Sequence, residues 1–157
     1  MSSTLEHLMT GFGVALAPFN LMLAALGGFI GTIVGMLPGL GPINGVAILM
    51  PLAFALNLPP ESALILLVAV YLGCEYGGRI SSILLNVPGD AAAIMTAVDG
   101  YPMARKGLGG VALSISAVSS FVGSMVAITG LVIAAPLLAN WALAFGPAEY
   151  FALRVFA

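Results

Sequence analysis

Two long stretches of this chain, Gly11 to Met36 and Leu108 to Leu138, are apolar almost without interruption. A helical segment needs about 20 apolar residues to cross the hydrocarbon core of a bilayer, and both stretches supply them. Inside hydrocarbon no water satisfies the backbone, so each N–H and C=O must bond within the segment, which leaves α-helices or closed barrels. Runs of this length and character favour helices. Composition agrees: 61% of the 157 residues are hydrophobic and only 6% are charged, against about 25% charged in soluble domains. Mean hydropathy is +1.17. The expected fold is therefore all-α, a polytopic transmembrane helical protein.

Against that background, Tyr71 to Lys106 stands out. It holds Glu75, Arg79, Asp90, Asp99, Arg105 and Lys106, together with a Pro88-Gly89 break between apolar runs. Charge and broken backbone are costly in a membrane and mark sites of special structure or function. The formal net charge of -2 offers no basic surface for nucleic acid. Cys74 and His7 are each the only residue of their type, so there is no internal disulfide and no cysteine–histidine metal cluster. The acids and hydroxyls form no catalytic spacing, and no cofactor is expected.

Taken in order, Met1 to Thr10 lacks the positive region of a signal peptide, so the amino terminus reads as retained; Thr4, Glu6 and His7 suggest a brief interfacial helix. Ala17 or Pro18 to Met36 reads as a span, with Pro18 in the first turn, where its missing N–H costs nothing. Gly27, Gly31 and Gly35 recur every four residues, a smooth ridge that lets another backbone approach. Two prolines and three glycines from Pro38 to Gly45 predict a break, which also reads as an ordinary loop joining two helices. The apolar sequence resumes at Val46 and ends near Leu58, a length suited to a re-entrant or half-membrane helix. Ser62 to about Asn86 reads as a second span, opened by Glu61 or Ser62. Glu75 and Arg79, one turn apart with the acid first, suggest a structural ion pair.

After Pro88-Gly89, Asp90 stands where a helix cap would stand. The alternative reading is that Asn86, Gly89 and Asp90 line an ion or substrate site, because broken helices supply free amides for anions and free carbonyls for cations. Thr96 is either a self-bonded helix residue or a ligand. Asp99 to Gly107, with its Asp-Gly and Tyr-Pro dipeptides, predicts an aqueous loop; Arg105 and Lys106 place it in the cytoplasm. Leu108 to Leu138 reads as one long tilted span, or a span and an interfacial piece ending near Pro136. Asn140 and Trp141 follow as an interfacial anchor, and Ala142 to Ala157 begins another apolar helix. The two Pro-Gly breaks lie 50 residues apart, an asparagine near each, and could meet within the membrane.

Two ordered motifs carry a resemblance. Gly35 to Pro51, GMLPGLGPINGVAILMP, and Tyr71 to Gly107, with YGG, ILLNVPGD and DGYPMARKG, resemble the large membrane subunit of the tripartite tricarboxylate transporters. The resemblance covers nearly the whole chain but only the amino-terminal portion of such a subunit, so 1–157 reads as an incomplete part of a transmembrane transporter domain. It implies a multi-pass protein of the bacterial inner membrane, partnered by a small membrane subunit and a periplasmic solute-binding protein. It also implies symport of tricarboxylates or related organic anions, with sodium as coupling ion.

Carried onto this chain, the resemblance puts Gly39, Gly41, Asn44, Asn86, Gly89, Asp90 and Thr96 on the substrate or ion pathway, with sodium near Asn86 and Asp90. Ala91, Ala92 and Ala93 stand where such members commonly carry hydroxyls, and Arg79 stands where a small hydroxyl residue often follows the glycine pair. The alanines count against citrate as the substrate. The alternative from another class is a non-transporting membrane scaffold, or a truncated remnant of such a subunit.

Overall fold

The computed structural model describes residues 2–144 together with Gly146, Glu149, Phe151, Ala152 and Val155. Its helices are α1 (Ser2–Ala15), α2 (Pro18–Gly35), α3 (Gly41–Ala55), α4 (Pro60–Leu85), α5 (Ala93–Met103) and α6 (Gly109–Ala144), with a π-helical turn at Ala104–Leu108 between the last two. Pro18–Gly35, Pro60–Leu85 and the helical stretch Ala93–Ala135 are each long and apolar enough to cross a membrane. The chain is an all-α membrane protein with several spans. It divides into two compact units, Met1–Ala117 and Val118–Ala157.

In the first unit α2 packs along α4, and glycine sets the distance. A Cβ on Gly27 would stand 2.7 Å from the Leu66 carbonyl oxygen, and one on Gly31 or Gly35 would overlap the backbone of Val70 or Cys74. The approach is mutual: Gly73 and Gly77 on α4 leave the same room for the backbone of Gly28 and Thr32. The glycine ridge expected from the four-residue repeat therefore has a partner ridge. Between helices in lipid there is no hydrophobic driving force, and close van der Waals packing of small residues replaces it.

The register gives the topology. Gly27, Gly31 and Gly35 meet Leu66, Val70 and Cys74 in the same order, so α2 and α4 run parallel. At the start of both helices Ser62 Oγ donates to Asn20 Oδ1 at 2.7 Å, and Asn20 Nδ2 donates to the Val14 carbonyl at 2.8 Å. Both side chains are buried. A polar link of this kind in a membrane contributes about 0.6–2 kcal/mol.

Parallel neighbours need a return. α3 makes it: Gly45, near its start, lies on Cys74 Sγ, and Ala53, near its end, belongs to the core cluster with Leu23, Leu66, Val70 and Cys74. The 15-residue helix thus carries the chain back along α4, and it is shorter than the helices long enough to cross a membrane, as the length of the apolar run led one to expect. Its start is corrected. α3 begins at Gly41, not Val46, because Pro42 falls at the first helical positions, where no N–H is needed.

A second correction concerns Asp99 to Gly107. Asp99 to Met103 continue α5, with Pro102 inside it, and the expected loop shrinks to the π-helical turn. Gly100 is buried and is needed for contact, not for turning: a Cβ there would stand 2.7 Å from Ile83 Cγ1 on α4. Gly107 makes the bend instead, at φ +78°. α6 then runs unbroken through Pro136 to Ala144, as one long helix without the interruption considered there. In the second unit the described part of α6 exposes Phe121, Val126 and Ile133, and Thr129 Oγ1 donates back to the Met125 carbonyl at 2.8 Å. Half of the residues of the helix expected over Ala142 to Ala157 lie outside the described residues.

Gly31→Ala should separate α2 from α4 and lower the stability of the detergent-solubilised protein by about 1–3 kcal/mol, read as an earlier thermal unfolding midpoint. Gly28→Ala, where an added Cβ meets nothing within 4 Å, should leave the midpoint within error. Equal midpoints for the two variants would refute the glycine contact.

Candidate functional site

The two broken segments come together. Residues 36–40 separate α2 from α3, and residues 86–92 separate α4 from α5. The first break is tight because Gly39 and Gly41 take φ +81° and +58°, a left-handed conformation that costs a residue with a Cβ about 1–2 kcal/mol. The second begins at Asn86, the left-handed cap of α4 at φ 57°. Its N–H donates to the Ser82 carbonyl at 3.2 Å, and the next N–H, of Val87, reaches the Ser81 carbonyl at 3.4 Å. The chain then doubles back. Gly89 lies on Gly78, where its Cβ would stand 2.7 Å from the Gly78 Cα and 3.1 Å from the Gly35 carbonyl oxygen.

This fold-back brings the start of α3 beside Asp90. A Cβ on Gly41 would stand 3.8 Å from Asp90 Cβ and 3.9 Å from the Gly89 carbonyl oxygen. One small region therefore contains the carboxyl end of α2, the amino end of α3, the backbone of Gly89 and the Asp90 carboxylate. Gly78 lies about two turns short of the end of α4, so the meeting point is within the length of that helix. Gly78, Gly89 and Gly35 are all buried. The hydroxyls nearby are occupied: Ser81 Oγ and Ser82 Oγ both donate to the Gly78 carbonyl, at 3.0 and 2.7 Å.

Asp90 is a helix-start residue as well as a charge. Its Oδ1 accepts the Ala93 N–H at 2.8 Å, the bond of an amino-terminal cap. Glu75, on α4, feels both the repulsion of Asp90 and the attraction of Arg79. Among the described residues Glu75 and Arg79 do not close into a direct ion pair.

The remaining predicted residues are more dispersed. Asn44 is exposed in the first turns of α3, and Thr96 is half-buried on α5. Asn86 is exposed and caps α4 eight residues beyond Gly78, whereas Gly89 lies on Gly78 itself. Asp99, Arg105 and Lys106 are exposed on α5 and the π-helical turn. The contact of Gly45 with Cys74, and the Asn20–Ser62 link, were not foreseen. Asn20 is a polar residue in an apolar run, but nothing in the sequence pairs it with a serine 42 positions later. A cavity of about 310 Å³ lies elsewhere, at the α3–α4 turn between Ala53, Asn57 and Leu67. Its lining carries no charge, so it does not compete with the junction as an ion site.

The cap and the charge of Asp90 are separable. Asp90→Ala should destabilise α5 by about 1 kcal/mol, while Asp90→Asn, an equally good cap, should cost little. Amide hydrogen exchange over Ala93 to Ala97 reads the difference; equal protection in the two variants would dismiss the cap.

Residues 21–157 match the tripartite tricarboxylate transporter TctA family. A protein of Agrobacterium vitis, described as an uncharacterized 52.8 kDa protein in the TAR-I ttuC' 3' region, is 46% identical over 155 residues. That match covers 99% of this chain and 30% of the relative, so the chain spans less than a third of that protein's length. No solved structure matches the chain. With its apolar helices and the family's pattern over nearly its whole length, the chain belongs to the tripartite tricarboxylate transporter TctA family of membrane transporters.

Proposed function

We propose that the chain forms part of the permease of a binding-protein-dependent secondary transporter in the bacterial inner membrane, and that the junction of the two breaks lines its pathway. The cargo is a tricarboxylate or related organic anion, moved in symport with sodium. The small membrane subunit and the periplasmic solute-binding protein are its partners. The observation that carries the reading is the position of Gly41 beside Gly89 and Asp90, within the length of a helix apolar enough to span.

The chemistry follows from the helix ends. The free amides at the start of α3 suit a carboxylate, and the terminal carbonyls of α2 suit a cation. Asp90 repels an organic anion and attracts sodium, and it stands beside Gly41, so at the start of α3 its charge opposes the anion and favours the cation. Gly39 and Gly41 let the backbone itself form the lining. Asn86 serves the break as a left-handed cap.

Uptake by the complete permease with both partners tests this. Asp90→Asn keeps the cap and removes the charge, so uptake should fall about tenfold to a hundredfold, the cost of one hydrogen bond or contact to a charged group, with a weaker sodium dependence. Asn86→Gly keeps the left-handed cap and should transport normally. Wild-type uptake with unaltered sodium dependence in Asp90→Asn would remove Asp90 from the pathway.

A further inference from the structure

α1 is two-sided, and its apolar side touches little of the protein. Leu8, Met9 and Phe12, with Leu16 just beyond, fall on one side at helical spacing. Glu6, His7 and Thr10 fall on the other. Met9, Phe12 and Leu16 are 72%, 64% and 62% exposed, so the apolar side is bare where a soluble helix would bury it. Contact between α1 and α2 is marginal.

Three further observations say what covers it. First, α1 cannot continue the axis of α2, because Ala17 between them is extended at φ -58°, ψ 136°. Second, the elbow is held: the buried Asn20 donates to the Val14 carbonyl and accepts from Ser62 of α4. α1 is thereby fixed at the end of a helix long and apolar enough to cross a bilayer. Third, the face of α2 away from the glycine ridge is bare as well. Phe19, Met22, Leu26, Phe29 and Ile33 are exposed there, where a spanning helix meets lipid.

We propose that α1 is an interface anchor, with the apolar side of Met9, Phe12 and Leu16 bedded in the headgroup–acyl boundary of the bilayer that α2 crosses. Helices of this type settle about 5–10 Å into that boundary. The described side of α1 that faces water carries Glu6 and His7 and no lysine or arginine, so the partner is the lipid surface itself, held by apolar burial and not by anionic headgroups. The anchor would fix the depth of the Asn20–Ser62 link, and with it the start of α2 and α4. This inference does not depend on what is transported.

The test is single-tryptophan fluorescence of the whole chain in phosphatidylcholine vesicles. Trp141→Phe removes the one native tryptophan; Met9→Trp, Phe12→Trp, Glu6→Trp and His7→Trp are then made singly, all at exposed positions. The expected result is that tryptophan at 9 and 12 loses emission to lipids brominated near the top of the acyl chain and is shielded from aqueous iodide. Tryptophan at 6 and 7 should show the reverse. Iodide quenching at all four positions would overturn the proposal, as would protection of positions 9 and 12 from both quenchers, which would mean that protein covers the stripe. Strongest quenching at 9 and 12 by bromine at the acyl-chain ends would also overturn it, because α1 would then be inserted.

Discussion

The contact of α2 with α4 at backbone distance is the interaction on which the rest of the first unit depends. Lipid is as apolar as leucine, so the helices gain nothing by merely hiding hydrophobic side chains from it. What they gain is the close fit of Gly27, Gly31 and Gly35 against Leu66, Val70 and Cys74, and of Gly73 and Gly77 against Gly28 and Thr32. Such a fit tolerates one register. The register makes the two helices parallel, obliges α3 to return between their ends, and leaves Gly35 and Gly78 facing the same small space.

That space is where the chain breaks its helices, and the breaks are well satisfied. Positive φ is confined to Gly39, Gly41 and Asn86 in these segments, and the hydroxyls of Ser81 and Ser82 bond inside their own helix. Asp90 closes the first turn of α5. No buried side-chain nitrogen or oxygen among the described residues lacks a hydrogen-bond partner. The two breaks thus bring helix ends, with their free backbone amides and carbonyls, into one region.

Much of this was legible in the chain, and the failures have physical causes. The apolar runs, the glycine ridge, the left-over charges and both Pro-Gly breaks could be read because each is a local property of the backbone or its solvent. The Asp-Gly and Tyr-Pro dipeptides misled because Gly100 is small in order to meet Ile83, and a glycine selected for contact looks the same as one selected for a turn. Pro42 lies inside the Pro38 to Gly45 stretch that reads as a break, yet it stands at the start of a helix; proline is compatible with both. The i, i+4 spacing puts Glu75 and Arg79 on one face of α4, but it cannot show that Asp90 arrives from another segment to act on Glu75 as well.

By itself the sequence determined that this is a helical membrane protein, where its helices must break, and which of them carries a surface for close packing. These follow from hydropathy, from the missing N–H of proline and the missing Cβ of glycine, all of which act within a few residues. Only the tertiary structure decided that α2 and α4 run parallel, that α3 returns along α4, and that Gly41 and Asp90, 49 positions apart, become neighbours. The reason is that a small-residue ridge says how near a partner can come but not which partner it is or in which direction it runs. That choice is made when two whole helix surfaces fit, and the meeting of the two breaks is its consequence.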